Sequence, residues 1–314
     1  DGMRFENIGV DITTADSTLY YSALIEKINV SNLELSNTVF SGSAKENNLD
    51  FGLWIKDNLD KEQYHLGANM SVDENNYMLS LNEDGLMLNY ENWQIAPENR
   101  LSFGNNGISA QNFRLSKDGQ ELLLQSADST LNAPLDLTFT NFRIETLTEI
   151  LKSETLSLGG GINGTATVSR MESSPVFISD LNIEKFYFGA DTVGNVLIKV
   201  DNVRENTFAA DVKIVENGND VHLLGDFISP PNSPATINAT LSLNPMKMTT
   251  IQAFSMGYLE NSAGDLKGDL KITGTLDQPR INGDLTFDDA KINIAMLNAD
   301  LMLNNQVIHF NEQG

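Results

Sequence analysis

Apolar residues recur at every second position along most of the chain. Leu49, Phe51, Leu53 and Ile55 form one such run, followed by Tyr64, Leu66, Ala68, Met70 and Val72, then Tyr77, Leu79 and Leu81. The same alternation returns in Val196, Ile198 and Val200, in Phe208, Ala210, Val212 and Ile214, and in Val221, Leu223 and Phe227. Period two is the signature of a strand with one buried and one wet face. The turn clusters between the runs, such as KDNLDKEQ, VDENN, VENGND and SPPNSP, are short enough to join antiparallel neighbours. The pattern predicts an all-β chain laid out as a repetitive antiparallel meander.

Helical spacing interrupts it twice. In FRIETLTEILKS, Ile144, Leu147, Ile150 and Leu151 fall at three- and four-residue intervals, and Thr146 with Glu149 suggests a capping box. In MKMTTIQAFSMGYL the apolar stripe is Met248, Ile251, Phe254 and Met256. Each segment spans two or three turns and needs to dock on the sheet to persist.

The two helices belong to an internal repeat. Sliding the chain against itself by 104 residues pairs Leu137 with Leu241, Leu147 with Ile251, Ile150 with Phe254, Gly160 with Gly264, Gly164 with Gly268, Val168 with Ile272, Pro175 with Pro279, Asp180 with Asp284 and Leu181 with Leu285, with no gap. A weaker copy lies at an offset of 148, where VSNLELSNTVFSG from Val30 matches ISDLNIEKFYFGA from Ile178. This divides the chain into strand-meander repeats over 1–136, a repeat unit over 137–240 with its helix near 145–152, and a second copy over 241–314 with its helix near 248–257. Units that contact mainly their sequence neighbours stack in one dimension, so an elongated body is expected.

Charge and composition narrow the function classes. The net charge of -23, from 43 Asp and Glu against 20 Lys and Arg, excludes nucleic-acid binding by a basic surface. There are no cysteines, hence no disulfides, thiolate metal sites or cysteine nucleophiles. No apolar run reaches the roughly 18 residues a membrane-spanning helix requires. Both ends read as those of a piece cut from a longer polypeptide.

The glycine-rich runs SLGGGINGTATV and GDLKGDLKITG invite a phosphate-loop reading but lack its Gly-Lys-Ser/Thr ending. In the second, Leu266, Gly268, Leu270, Ile272, Gly274 and Leu276 share even numbers, and Ile281, Gly283, Leu285 and Phe287 share odd ones, so each set lies on one strand face. Glycine on such a face makes room where surfaces approach or the strand bends, and Pro279 opens the following strand at a turn. His65, His222 and His309 are scattered through strand-like runs with no metal-ligand spacing and no nucleophile elbow. The acidic patches near Asp288 and Val72 do not match a calcium-binding loop. Neither a catalytic cluster nor a metal or cofactor site is expected. The apolar face itself admits two readings, a closed core between packed faces or an apolar trough open along its length, and periodicity alone favours the plain core.

The run Gly264, Gly268, Leu270, Ile272, Gly274, Thr275, Leu276, Pro279, Ile281, Gly283, Leu285 resembles the recurring glycine-leucine signature of the TamB and AsmA-like superfamily, and NADLMLNNQVIHFNEQG looks like the segment that follows it in Bacteroidetes-type TamB proteins. The first copy is degenerate, with Arg170 at the position of Gly274 and MESSP for TLDQP. The resemblance covers about the last third of the chain. It implies a U-shaped β-taco trough with an apolar inner face, carried by a periplasmic protein anchored in the inner membrane of a Gram-negative bacterium. It also implies a non-enzymatic role in moving phospholipid between the two membranes or assisting assembly of outer-membrane proteins. The implied partner is a BamA-type outer-membrane barrel, TamA-like, met by a C-terminal part beyond this segment. The groove-lining residues are then Leu266, Leu270, Ile272, Leu276, Ile281, Leu285, Phe287, Ile292 and Ile294, with Ile162 and Val168 in the first copy. Gly160, Gly164, Pro175, Gly264, Gly268, Gly274, Pro279 and Gly283 are its structural signature. The competing expectation is a structural or adhesive β-repeat protein with a closed core and no cargo, and an enzyme acting on glycans or lipids stands as a remote third.

Overall fold

The computed structural model describes residues 3–30, 33–73, 76–105, 107–150, 157–172, 174–297 and 299–311. The chain is all-β, with strands following one another as an antiparallel meander and two short α-helices between them. It divides into two units, the first comprising 1–142, 146–153 and 168–175, the second 143–145, 154–167 and 176–314.

The first unit contains β1 (Arg4–Ala15), β2 (Thr18–Val30), β3 (Leu33–Lys45), β4 (Asn48–Lys56), β5 (Glu62–Asp73), β6 (Asn76–Leu88), β7 (Glu91–Ile95), β8 (Arg100–Gly104), β9 (Gly107–Gln111), β10 (Phe113–Lys117), β11 (Gln120–Ser126) and most of β12 (Leu135–Arg143). Strands β1 to β6 pair in sequence order, and β6 also pairs with β7 and β8. Two-residue turns set much of this register. Asp16–Ser17, Asn89–Tyr90 and Asp118–Gly119 each hold two consecutive positive φ angles, the conformation whose twist matches that of a hairpin. The core here centres on Trp93, Ile95, Leu86 and Phe142, with the Trp93 and Phe142 rings 5.8 Å apart. Buried Asn99 stands in for a strand partner: its Oδ1 accepts from the Leu81 N–H, and its Nδ2 donates to the carbonyls of Leu81 and Ala96.

The short helix α1 (Glu145–Ile150) follows β12. Thr146 therefore lies inside the helix and not at its N-cap, and its hydroxyl reaches the Gln120 side chain in place of the expected capping box. Leu151 and the rest of 151–156 lie outside the described residues, and so does the Glu149 side chain.

The second unit carries most of β13 (Leu158–Ser169), then β14 (Val176–Phe188), β15 (Asp191–Asp201), β16 (Thr207–Glu216), β17 (Asn219–Ile228), β18 (Thr236–Lys247), helix α2 (Met248–Phe254), β19 (Leu259–Thr275), β20 (Pro279–Ile294), β21 (Ala299–Leu303) and β22 (Val307–Phe310). Consecutive strands from β14 to β20 pair antiparallel, and β20 also pairs with β21 and β22. Helix α2 is fixed by Met248, 1% exposed, and by buried Thr250 and Ala253. Met256 lies beyond its end and is exposed, so the helical stripe stops at Phe254. Its N-terminus has no side-chain cap of its own; Asn219 supplies one from β17, accepting the Lys247 N–H and donating to Thr250 Oγ1 and the Val193 carbonyl.

The 104-residue repeat is a repeat of structure. The order strand, helix, strand, strand in β12, α1, β13 and β14 recurs in β18, α2, β19 and β20 at equivalent positions. Gly164 and Gly268 both take positive φ, 125° and 142°, and a Cβ on either would collide with the carbonyl oxygen of its equivalent neighbour, Asp180 or Asp284. The signature glycines thus relieve contact with the adjacent strand of the same sheet, and not between two packed sheets.

Candidate functional site

The feature with functional potential is the apolar face that the alternation builds in each unit. In the first unit, register aligns Ile8, Val10 and Ile12 of β1 with Ile25, Ala23 and Tyr21 of β2, then with Thr38, Phe40 and Gly42 of β3. The row continues through Ile55, Leu53 and Phe51 to Tyr64, Leu66 and Ala68, and Ala68 pairs with Leu81. Burial changes along this face. Ala68 and Leu81 are buried, Leu53 and Leu66 half-buried, and the edge residues Ile8, Val10 and Ile12 are 58–62% exposed.

The opposite face is polar and carries the chemistry that looked like candidate sites. His65 stacks on Trp54 at 4.9 Å and lies 3.5 Å from Glu62. In the second unit His222 meets Asp211 at 2.8 Å and His309 meets Asp284 at 2.7 Å. The three histidines are each matched to a separate partner and form no common cluster. Among the described residues no group of three or more His, Cys, Asp or Glu is arranged to hold a metal ion. A cavity of about 510 Å³ on this side is lined by Lys199, Asp201, Arg204, Asp211 and Asp226, and Arg204 with Asp226 forms an ion pair there. The Arg204 guanidinium holds the Asp226 carboxyl below the usual aspartate range through its hydrogen bonds.

In the second unit the apolar rows run Ile183, Val196, Ile214, Val221, Leu243 on β14 to β18, then Gly268 and Leu285, and beside them Leu181, Ile198, Val212, Leu223, Leu241, Leu270 and Gly283. Here the expected groove residues separate into three groups. Leu266, Leu270, Leu285 and Phe287 are buried in one cluster with Val221, Leu243, Ala290 and Met248 of α2, and Ile281 and Ile292 pack against it. Ile272, Ile294 and Ile162 are half-buried, as is Val168, which belongs to the first unit. Leu276 is exposed in the turn after β19 and lies outside the strand face expected for it. Of the signature residues, Gly274 faces Pro279 across the β19 to β20 turn and Gly283 faces Leu270, whereas Pro175 precedes β14.

One device in this face escaped the alternation. Phe287 is odd-numbered and Ala290 and Ile292 even, yet all belong to the same cluster. Between them Asp289 adopts a left-handed φ of 46°, and the β19 to β20 register shifts, which returns the following residues to the inner face. The equivalent Lys185, φ 52°, does the same in β14, where Phe186 then stacks on Phe254 of α2 and Phe188 packs tilted against it. Asn37, matched to Lys185 by the 148-residue offset, is left-handed at a register shift in β3. The edge residues Ile8, Val10 and Ile12 were also missed as groove candidates, although their alternation is plain in IGVDIT.

No family model, curated protein or solved structure matches this chain.

Proposed function

We propose that this chain is a non-enzymatic scaffold whose apolar sheet face shelters hydrophobic cargo, as a periplasmic segment of a TamB or AsmA-like protein. The observation that carries the reading is the row from Ile8, Val10 and Ile12 into Phe40, Leu53 and Leu66, an apolar surface that stays accessible at its β1 end. Each methylene kept from water on such a surface is worth about 0.8 kcal/mol, so an acyl chain or an unfolded apolar strand is held without any reacting group. On this reading the full protein is anchored in an inner membrane, meets a BamA-type outer-membrane barrel through a part beyond this segment, and serves phospholipid transport or outer-membrane protein assembly.

A photo-crosslinking amino acid at Val10 or Phe40 tests it, with Asp11 on the opposite face of β1 as control. Crosslinks to phospholipid acyl chains, or to nascent outer-membrane proteins, from Val10 and Phe40 and not from Asp11 support the reading and identify the cargo. Equal yields from all three positions, or none, overturn it.

The second reading, a structural repeat with a closed core, is favoured locally by the sealed cluster of Leu266, Leu270, Leu285 and Phe287 under Met248. On that reading the α2 region is a brace and the face beneath it carries no cargo.

A further inference from the structure

Two neighbouring turns at one end of the second unit present large apolar side chains to solvent. The first joins α2 to β19 and carries Met256 and Tyr258 beside the last helical residue, Phe254, whose ring also packs on Phe186 and Phe188; the second is the 3₁₀ turn Ala295–Leu297 after β20, with Met296 and Leu297. The Ala295 N–H donates to the Tyr258 carbonyl at 3.1 Å, and Leu259 pairs with Ile294, so the two turns lie side by side. The five side chains are 43–83% exposed, while the neighbouring α2 residues Met248 and Ala253 are buried. Met256 is held at φ 51°, a left-handed conformation unfavourable for a side chain of its kind, and that conformation leaves the side chain in water.

We infer that this tip is a wedge that inserts into the interfacial region of a zwitterionic phospholipid membrane. Four N–H groups of the tip are hydrogen-bonded within it. The Ser255 N–H donates to Gln252 O, the Tyr258 N–H to Ser255 O, the Leu259 N–H to Ser255 Oγ, and the Ala295 N–H to Tyr258 O. An unsatisfied N–H would resist transfer from water, and these four carry no such cost. The side chains are those that enter an acyl boundary, with Tyr258 suited to the headgroup level. None of the five is charged, Asp300 nearby is paired with Lys291, and the exposed Glu260 adds to a chain of net charge -23, so an anionic surface repels the tip and a neutral one does not.

The inference is independent of what the apolar sheet faces carry. Because the chain has no cysteine, Met296→Cys gives a single attachment point for an environment-sensitive fluorophore. With phosphatidylcholine vesicles the emission is expected to shift to the blue, and the unlabelled chain to co-sediment with them. Replacing about a third of the lipid with phosphatidylglycerol should weaken binding, and added salt should restore it. The triple variant Met256→Asn, Tyr258→Ser, Met296→Ser should bind phosphatidylcholine at least about tenfold more weakly with an unchanged circular dichroism spectrum; asparagine keeps the left-handed preference at 256. No vesicle binding, undiminished binding by the triple variant, or a concentration-dependent blue shift without vesicles, which marks self-association, overturns the inference.

Discussion

Gly268 of β19 faces Leu285 of β20, and the carbonyl oxygen of Asp284 lies where a Cβ on Gly268 would stand. One row over, the relationship is reversed: Gly283 of β20 faces Leu270 of β19, against the Asp269 carbonyl. Buried Leu285 and Leu270 thus each have a glycine opposite them. The pairing makes room for a leucine on either strand while the backbones approach closely.

Gly268→Ala is therefore expected to destabilise the second unit by about 2–4 kcal/mol, because the obstacle is backbone and the φ of 142° strains any side chain. Gly161→Ala, where nothing lies within 4 Å of a new Cβ, should change stability by less than about 1 kcal/mol. Urea unfolding of the two variants side by side checks both.

Closed and open stretches of the apolar face should respond differently to charge. Leu270→Asp buries an unpaired carboxylate and is expected to cost more than about 4 kcal/mol, unfolding the second unit. Ile12→Asp, at an exposed edge position, should cost less than about 1 kcal/mol while abolishing crosslinks from Val10. Circular dichroism melts read the first effect and crosslinking yield the second.

Asn219→Ala removes the acceptor for Lys247 N–H and the donor to Thr250 Oγ1 and Val193 O, all at the foot of α2. A loss of about 2–4 kcal/mol is expected, since buried groups lose their partners. Amide exchange should accelerate first in α2, ahead of the strands of β16 and β17.

The Arg204 and Asp226 pair gives a pH signature. The Asp226 carboxyl is held below its ordinary value of 3.8, so its contribution is present above that value and is lost as pH falls through the lower folded-state value. Asp226→Asn should then lower the melting temperature slightly at neutral pH, and the difference from the parent chain should vanish in acid. A difference that persists at low pH would point to lost packing instead.

The strands, their antiparallel order and the 104-residue repeat were legible because each rests on local chemistry. Val196, Ile198 and Val200 alternate whether or not a partner strand is known, and Asn217–Gly218 turns wherever it stands. The site was legible in part. Parity put Leu266 and Leu270 on one face of their strand and Leu285 and Phe287 on one face of theirs, and the register brings the two sets into one buried cluster. Met256 and Leu276 continue apolar patterns in sequence but lie beyond the elements that would have buried them.

By itself, then, the sequence determined which residues form strands, where they turn and which units repeat, since these follow from backbone preference and period-two burial within a few residues. Only the tertiary structure decided which parts of the apolar face are sealed and which are open. That depends on the docking of α2 through Met248 and Asn219, and on the left-handed residues Lys185 and Asp289, which reverse the alternation in mid-strand. A bulge shifts the phase of every position after it, and a helix covers residues distant in sequence. Neither leaves a trace in a period.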